Sequence, residues 1–63
     1  MDSLNRLLNE KEVAEYLGIG VQTLRNWRYL RRGPVYYKLG SRVSYSEKDI
    51  IDYINHNRII PKG

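Results

Sequence analysis

The chain of 63 residues contains no cysteine, which excludes a disulfide framework and a thiolate metal site. No apolar run approaches the roughly 20 residues that a membrane-spanning helix needs. The first residues, Met-Asp-Ser-Leu-Asn-Arg, lack the basic start and the long apolar core of a secretory signal peptide. These absences predict one small cytoplasmic domain with no metal ion, no other cofactor and no membrane contact.

Acidic residues are missing from one long stretch of the chain. Between Tyr16 and Ser46 there is no Asp or Glu, and every acid lies within 2–15 or 47–52. The same stretch holds most of the basic residues, namely Arg25, Arg28, Arg31, Arg32, Lys38 and Arg42. This segregation favours a nucleic-acid partner more strongly than the net charge of +4 does alone.

A first helix is predicted to begin after Asn9. Asn9 has the side chain of an N-cap, Glu12 completes a capping box, and Leu8 and Val13 have the spacing of a hydrophobic staple. Gly18 is predicted to end the helix. Its acids are expected to be solvated at the helix start and not to bind a metal: Glu10, Glu12 and Glu15.

A second helix is predicted from Val21 to about Leu30, with Gly20 near its N-cap. Its buried side is expected to carry Leu24, Trp27 and Leu30. Its polar side carries side chains that read base edges in DNA, Arg for guanine and Asn or Gln for adenine: Gln22, Arg25, Asn26 and Tyr29. Two short helices joined by a glycine turn form the pattern of a helix-turn-helix, whose second helix enters the major groove.

A β-hairpin is predicted next, because β-prone runs at 35–39 and 43–45 flank Gly40-Ser41-Arg42. A two-residue loop would pair Leu39 with Arg42 and mix apolar and polar side chains on each face. A three-residue loop pairs Leu39 with Val43 and leaves Arg42 at the tip. The three-residue loop is preferred, since the buried face normally fixes register.

A last helix is predicted from Ser46, its N-cap, to about Asn57. Its apolar face is expected to bury Ile50, Ile51, Tyr53 and Ile54. The apolar segment Ile59-Ile60-Pro61 is expected to fold back over the core; the alternative is docking on a neighbouring protomer or an integrase.

This layout resembles the small winged helix-turn-helix domains of phage excisionases, AlpA-like prophage regulators and MerR-type regulators. The matching segments are Leu8–Ile19, Thr23–Arg25 with Trp27, Tyr37–Arg42 and Tyr45–Ile50. The resemblance implies a mainly α fold with a small β-hairpin wing over residues 7–57. Residues 1–6 and 58–63 are then expected to be flexible termini.

In such domains the second helix lies in the major groove and the wing contacts the adjacent backbone or minor groove. The resemblance therefore implies DNA-binding residues on the helix: Gln22, Thr23, Arg25, Asn26, Arg28 and Tyr29. On the wing and its flank it implies Arg31, Arg32, Lys38, Ser41 and Arg42. Arg31 and Arg32 have the alternative role of stabilising the helix C-terminus through its dipole.

The function expected from the sequence is sequence-preferring binding of double-stranded DNA near the nucleoid, without catalysis. His56 is the only histidine, and nothing in the pattern pairs it with a nucleophile. Because the sequence ends at Gly63, the dimerising helix of MerR-type regulators is not expected. This favours an excisionase-like recombination directionality factor that bends DNA, binds cooperatively and assists an integrase. The alternatives are a small regulator of a prophage or mobile element and a protein–protein adaptor that kept the fold.

Overall fold

The computed structural model of the protein describes residues 6–62. Within this range the chain forms three helices and a small antiparallel sheet, which confirms the predicted winged helix-turn-helix. In chain order the elements are β1 (Leu7–Asn9), α1 (Glu10–Leu17), α2 (Val21–Tyr29), β2 (Tyr37–Leu39), β3 (Arg42–Ser46) and α3 (Glu47–His56). The predictions made for residues 1–5 and 63 lie outside the described residues.

Side-chain caps define the starts of α1 and α3. The Asn9 Oδ1 accepts a hydrogen bond from the Glu12 N–H at 2.8 Å, and the Asn9 N–H donates to Glu12 Oε1 at 3.0 Å. The Ser46 Oγ accepts from the Asp49 N–H at 3.0 Å. Gly18 ends α1 with a left-handed φ of 71°. The predicted capping box, the Ser46 cap and the glycine stop are therefore confirmed.

The core lies where α1, α2 and α3 meet the sheet. Its members are less than one-tenth exposed: Leu8, Val13, Ala14, Leu24, Tyr45 and Ile50. Trp27 packs against this cluster and lies 6.0 Å, centroid to centroid, from the Tyr53 ring. The prediction that Trp27 belongs to the core side of α2 is confirmed.

Strand β1 is a finding that the sequence did not predict. It pairs antiparallel with β3, so that Leu8 lies opposite Tyr45 and both contribute to the core. The sheet order is therefore β1-β3-β2. A strand of three residues offers too little alternation of apolar and polar side chains to be recognised on its own.

The predicted register of the hairpin is wrong. Leu39 pairs with Arg42 and Lys38 with Val43, which leaves Gly40-Ser41 as a two-residue loop. All three residues of β2 are exposed, so no buried face selects its register. The turn selects it instead: Gly40 has a φ of 65°, and glycine at the first central position is typical of the type II′ turn that suits twisted strands.

Four apolar residues are more exposed than predicted. Leu30, expected on the buried side of α2, is 58% exposed, and Ile54 on α3 is 41% exposed. The segment 59–61 does not fold back over the core, since Ile59 is 86% and Ile60 70% exposed. Both helices thus bury a narrower stripe than their apolar residues indicate.

Helix α2 ends in a Schellman motif that has arginine where glycine is usual. The Arg32 N–H donates to the Trp27 carbonyl at 2.8 Å and the Arg31 N–H to the Arg28 carbonyl at 3.1 Å. Arg31 adopts a φ of 59°, the one positive φ of a non-glycine residue within 6–62. The left-handed conformation costs an L-residue about 1–2 kcal/mol.

Arg31→Gly is expected to raise the free energy of unfolding by about 0.5–1 kcal/mol, because relief of the left-handed strain exceeds the added entropy of the unfolded chain. Urea unfolding monitored by circular dichroism measures the change. Arg32→Gly is the matched control, since it removes the same charge at a residue with ordinary φ and should destabilise. Equal losses in both variants would contradict the strain at Arg31.

Candidate nucleic-acid interface

One face of α2 is polar and open to solvent. Leu24 on the opposite face is fully buried, which fixes the rotation of the helix about its axis. The predicted contact residues on the open face are all exposed: Gln22, Thr23, Arg25, Asn26 and Tyr29. The Gln22 Nε2 donates to the Asn26 Oδ1 at 3.2 Å, so these two amides form a pair one helical turn apart.

Arg25 is held by an acid from the neighbouring helix. Its Nη2 donates to the Glu10 Oε2 at 2.7 Å, and its Nε lies 3.2 Å from Oε2 and 3.3 Å from Oε1. The Arg25 side chain nevertheless remains 51% exposed. The same guanidinium is therefore both fixed by Glu10 and accessible to a ligand.

Arg28 turns inward, unlike the other predicted contact residues of α2. Its side chain is 17% exposed. Its Nη1 donates to the Tyr45 hydroxyl at 2.9 Å, its Nη2 donates to Glu10 Oε1 at 3.0 Å, and its guanidinium carbon lies 5.8 Å from the centroid of the Tyr36 ring. Arg28 thus joins α2 to both α1 and β3, and its free surface for DNA is small.

The expectation that Glu10 is a solvated acid is wrong. Its side chain is 23% exposed and pairs with both arginines. The hydrogen bond from Arg25 lowers the pKa of Glu10 below its ordinary value, and Arg28 adds to this effect, while partial burial opposes it. Glu10 is therefore an ionised carboxylate at neutral pH. The fold places this acid beside arginines of the stretch that has no acid of its own in the sequence.

The wing lies beside Glu10, Arg25 and Arg28. Lys38, Ser41 and Arg42 are all exposed. A cleft of about 480 Å³ separates the hairpin from α2, with Arg25 and Arg28 on the helical side and Ser41 and Arg42 on the hairpin side. The fold therefore brings residues of the predicted recognition helix and of the predicted wing to the two edges of one concave surface.

A second cleft, of about 470 Å³, lies beyond the C-terminal end of α2. Arg31 and Arg32 are exposed at its edge, and Tyr36 lines it. The Tyr36 ring also packs at 6.1 Å from the ring of Tyr45. The sequence did not indicate that Glu10 belongs to this surface, because Glu10 acts through contacts with residues far from it in the chain.

The part of the chain from 6 to 62 contains no group of three or more His, Cys, Asp or Glu side chains arranged to hold a metal ion. The His56 Nδ1 lies 3.0 Å from the Asp52 carbonyl oxygen on its own helix. Among the described helices, none is long and apolar enough to cross a membrane.

No curated protein sequence matches the chain. Residues 7–58, which include every element from β1 to α3, match the family model described as a helix-turn-helix domain. The glycine turn between α1 and α2, the buried inner face of α2 and its exposed polar face fit that description. The chain belongs to this helix-turn-helix family of DNA-binding domains.

Proposed function

We propose that the protein binds double-stranded DNA with sequence preference, inserting α2 into the major groove while the β2–β3 wing contacts the adjacent backbone. The observation that carries the proposal is the shared cleft, which has Arg25 on the edge formed by α2 and Arg42 on the edge formed by the hairpin. Phosphate contacts fix the register and orientation of a recognition helix in the groove, and a hairpin on the other edge of the same cleft can supply them.

The side chains divide into two groups by chemistry. Amides on the exposed face of α2, Gln22 and Asn26, suit adenine, and Arg25 suits guanine. Basic and hydroxyl side chains outside the helix suit phosphate oxygens: Arg31, Arg32, Lys38, Ser41 and Arg42. In this division α2 supplies the sequence preference, and the wing with the second cleft supplies most of the affinity.

We further propose that the DNA-binding activity serves an excisionase-like role, in which the protein bends DNA so that an integrase excises an element. The layout of the domain, which resembles phage excisionases, supports this role. The role requires contact with other proteins, and the exposed Ile59 and Ile60 offer apolar side chains for it. A small regulator of a prophage or mobile element would use the same surface on a promoter.

Selection of duplexes from a random pool by the purified protein tests the proposal and separates the two roles. Enrichment of a short motif in direct repeats one helical turn apart would support cooperative, excisionase-like binding. A single or inverted site would favour the regulator. If no motif is enriched, the surface is a generic polyanion site, and a protein–protein adaptor becomes the better account.

Arg42→Ala and Asn26→Ala are expected to weaken binding in different ways. If about five basic side chains meet phosphates, log affinity should fall against log salt with a slope of about −4 to −5. Arg42→Ala should weaken binding to every duplex and flatten that slope by about one, whereas Asn26→Ala should mainly erode discrimination between duplexes. Fluorescence anisotropy at several salt concentrations measures both. An equal effect of Asn26→Ala on all duplexes would contradict its role in base reading.

A further inference from the structure

The Glu10 carboxylate is an unexpected feature of a surface built for a polyanion. It lies in the cleft between α2 and the wing, where it faces the path proposed for DNA. An acid at such a place weakens attraction to phosphate, so it is unfavourable for non-specific binding. Its two hydrogen-bonded partners, Arg25 and Arg28, indicate what it contributes instead.

We propose that Glu10 is a positioning residue that fixes Arg25 in the orientation needed to read one guanine of the target site. The inference rests on the proposed function and adds a specificity determinant to it. Arg25 is then the residue that touches the base, and Glu10 acts only through Arg25.

The hydrogen bonds of Arg25 leave the appropriate edge of its guanidinium free. A guanidinium has five N–H donors, and the contacts with Glu10 use the Nε–H and one N–H of Nη2. The second N–H of Nη2 and both of Nη1 have no hydrogen-bond partner among residues 6–62. The end-on edge formed by Nη1 and Nη2 is one that donates two parallel hydrogen bonds to guanine O6 and N7.

The acid that holds Arg25 is itself fixed. Glu10 is the first residue of α1, directly after the Asn9 cap, and its other oxygen accepts from Arg28. Arg28 is held in turn by the Tyr45 hydroxyl from the core. A long exposed arginine loses rotamer freedom when it binds a base, and a side chain already oriented loses less. The network therefore connects base reading by Arg25 to the rigid interior.

Removing Glu10 has two predicted effects of opposite sign. Arg25 gains freedom, so recognition of the guanine weakens. The cleft also gains one unit of positive charge, so binding to DNA of any sequence strengthens. A residue with only a structural role would not raise non-specific affinity while lowering discrimination at one base pair.

Glu10→Gln is the variant that tests the proposal, because the glutamine amide keeps the size of the side chain, removes its charge and replaces one of the two acceptor oxygens that bind Arg25 and Arg28 with a donor. Glu15→Gln is the matched control, since it removes the same charge from an exposed position on the same helix. Both are compared with wild type on the preferred duplex and on duplexes that carry 7-deazaguanine, which lacks the N7 acceptor, at one guanine at a time.

For wild type and Glu15→Gln, one 7-deazaguanine substitution is expected to weaken binding roughly tenfold. For Glu10→Gln, that penalty should shrink to about twofold or less, while affinity for random DNA rises a few-fold and the salt slope steepens by about one. Arg25→Ala removes the forked edge, so it should lose the same penalty. This second variant leaves Glu10 unchanged and carries the test if Glu10→Gln does not fold.

Three results would overturn the inference. The first is a full 7-deazaguanine penalty in Glu10→Gln at every guanine, and the second is a full penalty in Arg25→Ala. The third is a further loss of discrimination when Glu10→Gln is added to Arg25→Ala, since Glu10 would then act independently of Arg25. If wild type prefers no sequence, the proposed function fails together with the inference. If wild type discriminates and the variants do not differ from it, the inference alone fails.

Discussion

Arg28→Ala is expected to lower the free energy of unfolding by about 2–3 kcal/mol, because it leaves a buried phenol without its donor and removes one of the two arginines that pair with a partly buried carboxylate. Tyr45 is fully buried, and its hydroxyl accepts from the Arg28 Nη1. A domain of this size buries only about 60% of the surface that its unfolded chain exposes. A loss of this size would therefore remove a large part of its stability.

The contact shifts the pKa values of both partners. Burial raises the pKa of Tyr45, and Arg28 counteracts part of that rise. Burial also opposes the charge of Arg28, but the hydrogen bonds to Tyr45 and Glu10 outweigh it and raise the pKa of Arg28 above its ordinary value. The Arg28 guanidinium stays charged in this partly buried place because Tyr45 and Glu10 both accept hydrogen bonds from it.

Urea unfolding of Arg28→Ala is to be compared with that of Arg25→Ala. Arg25 binds the same carboxylate, but its side chain is half exposed, so its loss should change stability far less than the loss of Arg28 does. Per folded molecule, Arg25→Ala should weaken DNA binding more than Arg28→Ala does. Equal destabilisation by the two substitutions would refute the inward role of Arg28.

Helix boundaries could be predicted from the sequence because their determinants are local. The Asn9–Glu12 box and the Ser46–Asp49 cap each join residues three apart. The start of α2 at Val21 needed only the glycine turn before it. Such contacts form between neighbours whatever the rest of the chain does, so side-chain type and spacing are sufficient to place them.

The contacts that define the interface could not be predicted, because they join residues distant in sequence. Glu10 reaches Arg25 and Arg28 across the turn between the helices, fifteen and eighteen positions away. As an acid in the first turn of a helix, it has a sufficient local explanation as a partner of the helix dipole. Because the helix dipole already explains an acid at this position, the sequence gives no indication that Glu10 also pairs with Arg25 and Arg28.

The hairpin register failed for a related reason. The preference for a three-residue loop assumed that β2 has a buried face, with Leu39 directed into the core. Leu39 is 52% exposed and β2 is an edge strand. The buried Tyr45 side chain of β3 lies opposite Leu8 of β1 instead. Strand β1 is the one that the sequence did not predict.

Gly33→Ala is expected to produce the largest loss of stability among substitutions of the four glycines within residues 6–62, about 2–5 kcal/mol from backbone strain and overpacking together. Gly33 has a φ of 88°. A Cβ at this position would lie 2.8 Å from Trp27 Cε3 and 3.2 Å from Trp27 Cβ. The Trp27 Cβ is bonded to the backbone of α2, so rotation of the side chain cannot relieve that contact.

Gly18→Ala and Gly40→Ala separate the two causes. Both positions have positive φ, 71° and 65°, but a Cβ at either would meet no atom within 4 Å. Each should therefore cost about 1–2 kcal/mol, the strain of the left-handed backbone alone. Thermal and urea unfolding of the three alanine variants measures the difference. If Gly33→Ala were no worse than the other two, the close packing of Gly33 on Trp27 would be refuted.

The clash at Gly33 also bears on DNA binding, because Trp27 lies on the inner side of the helix whose outer side carries Arg25 and Asn26. Pressure on Trp27 can be relieved only by moving α2 or the Gly33-Pro34 connection, and either movement changes the distance between α2 and the wing. Gly33→Ala should therefore weaken binding to the preferred duplex per folded molecule, whereas Gly18→Ala should not. Adding Trp27→Leu, which removes the ring carbon at 2.8 Å, should cost less stability in Gly33→Ala than in wild type, giving a favourable coupling energy. If the losses of the two substitutions simply added, the strain would lie in the backbone of Gly33 and not in its contact with Trp27.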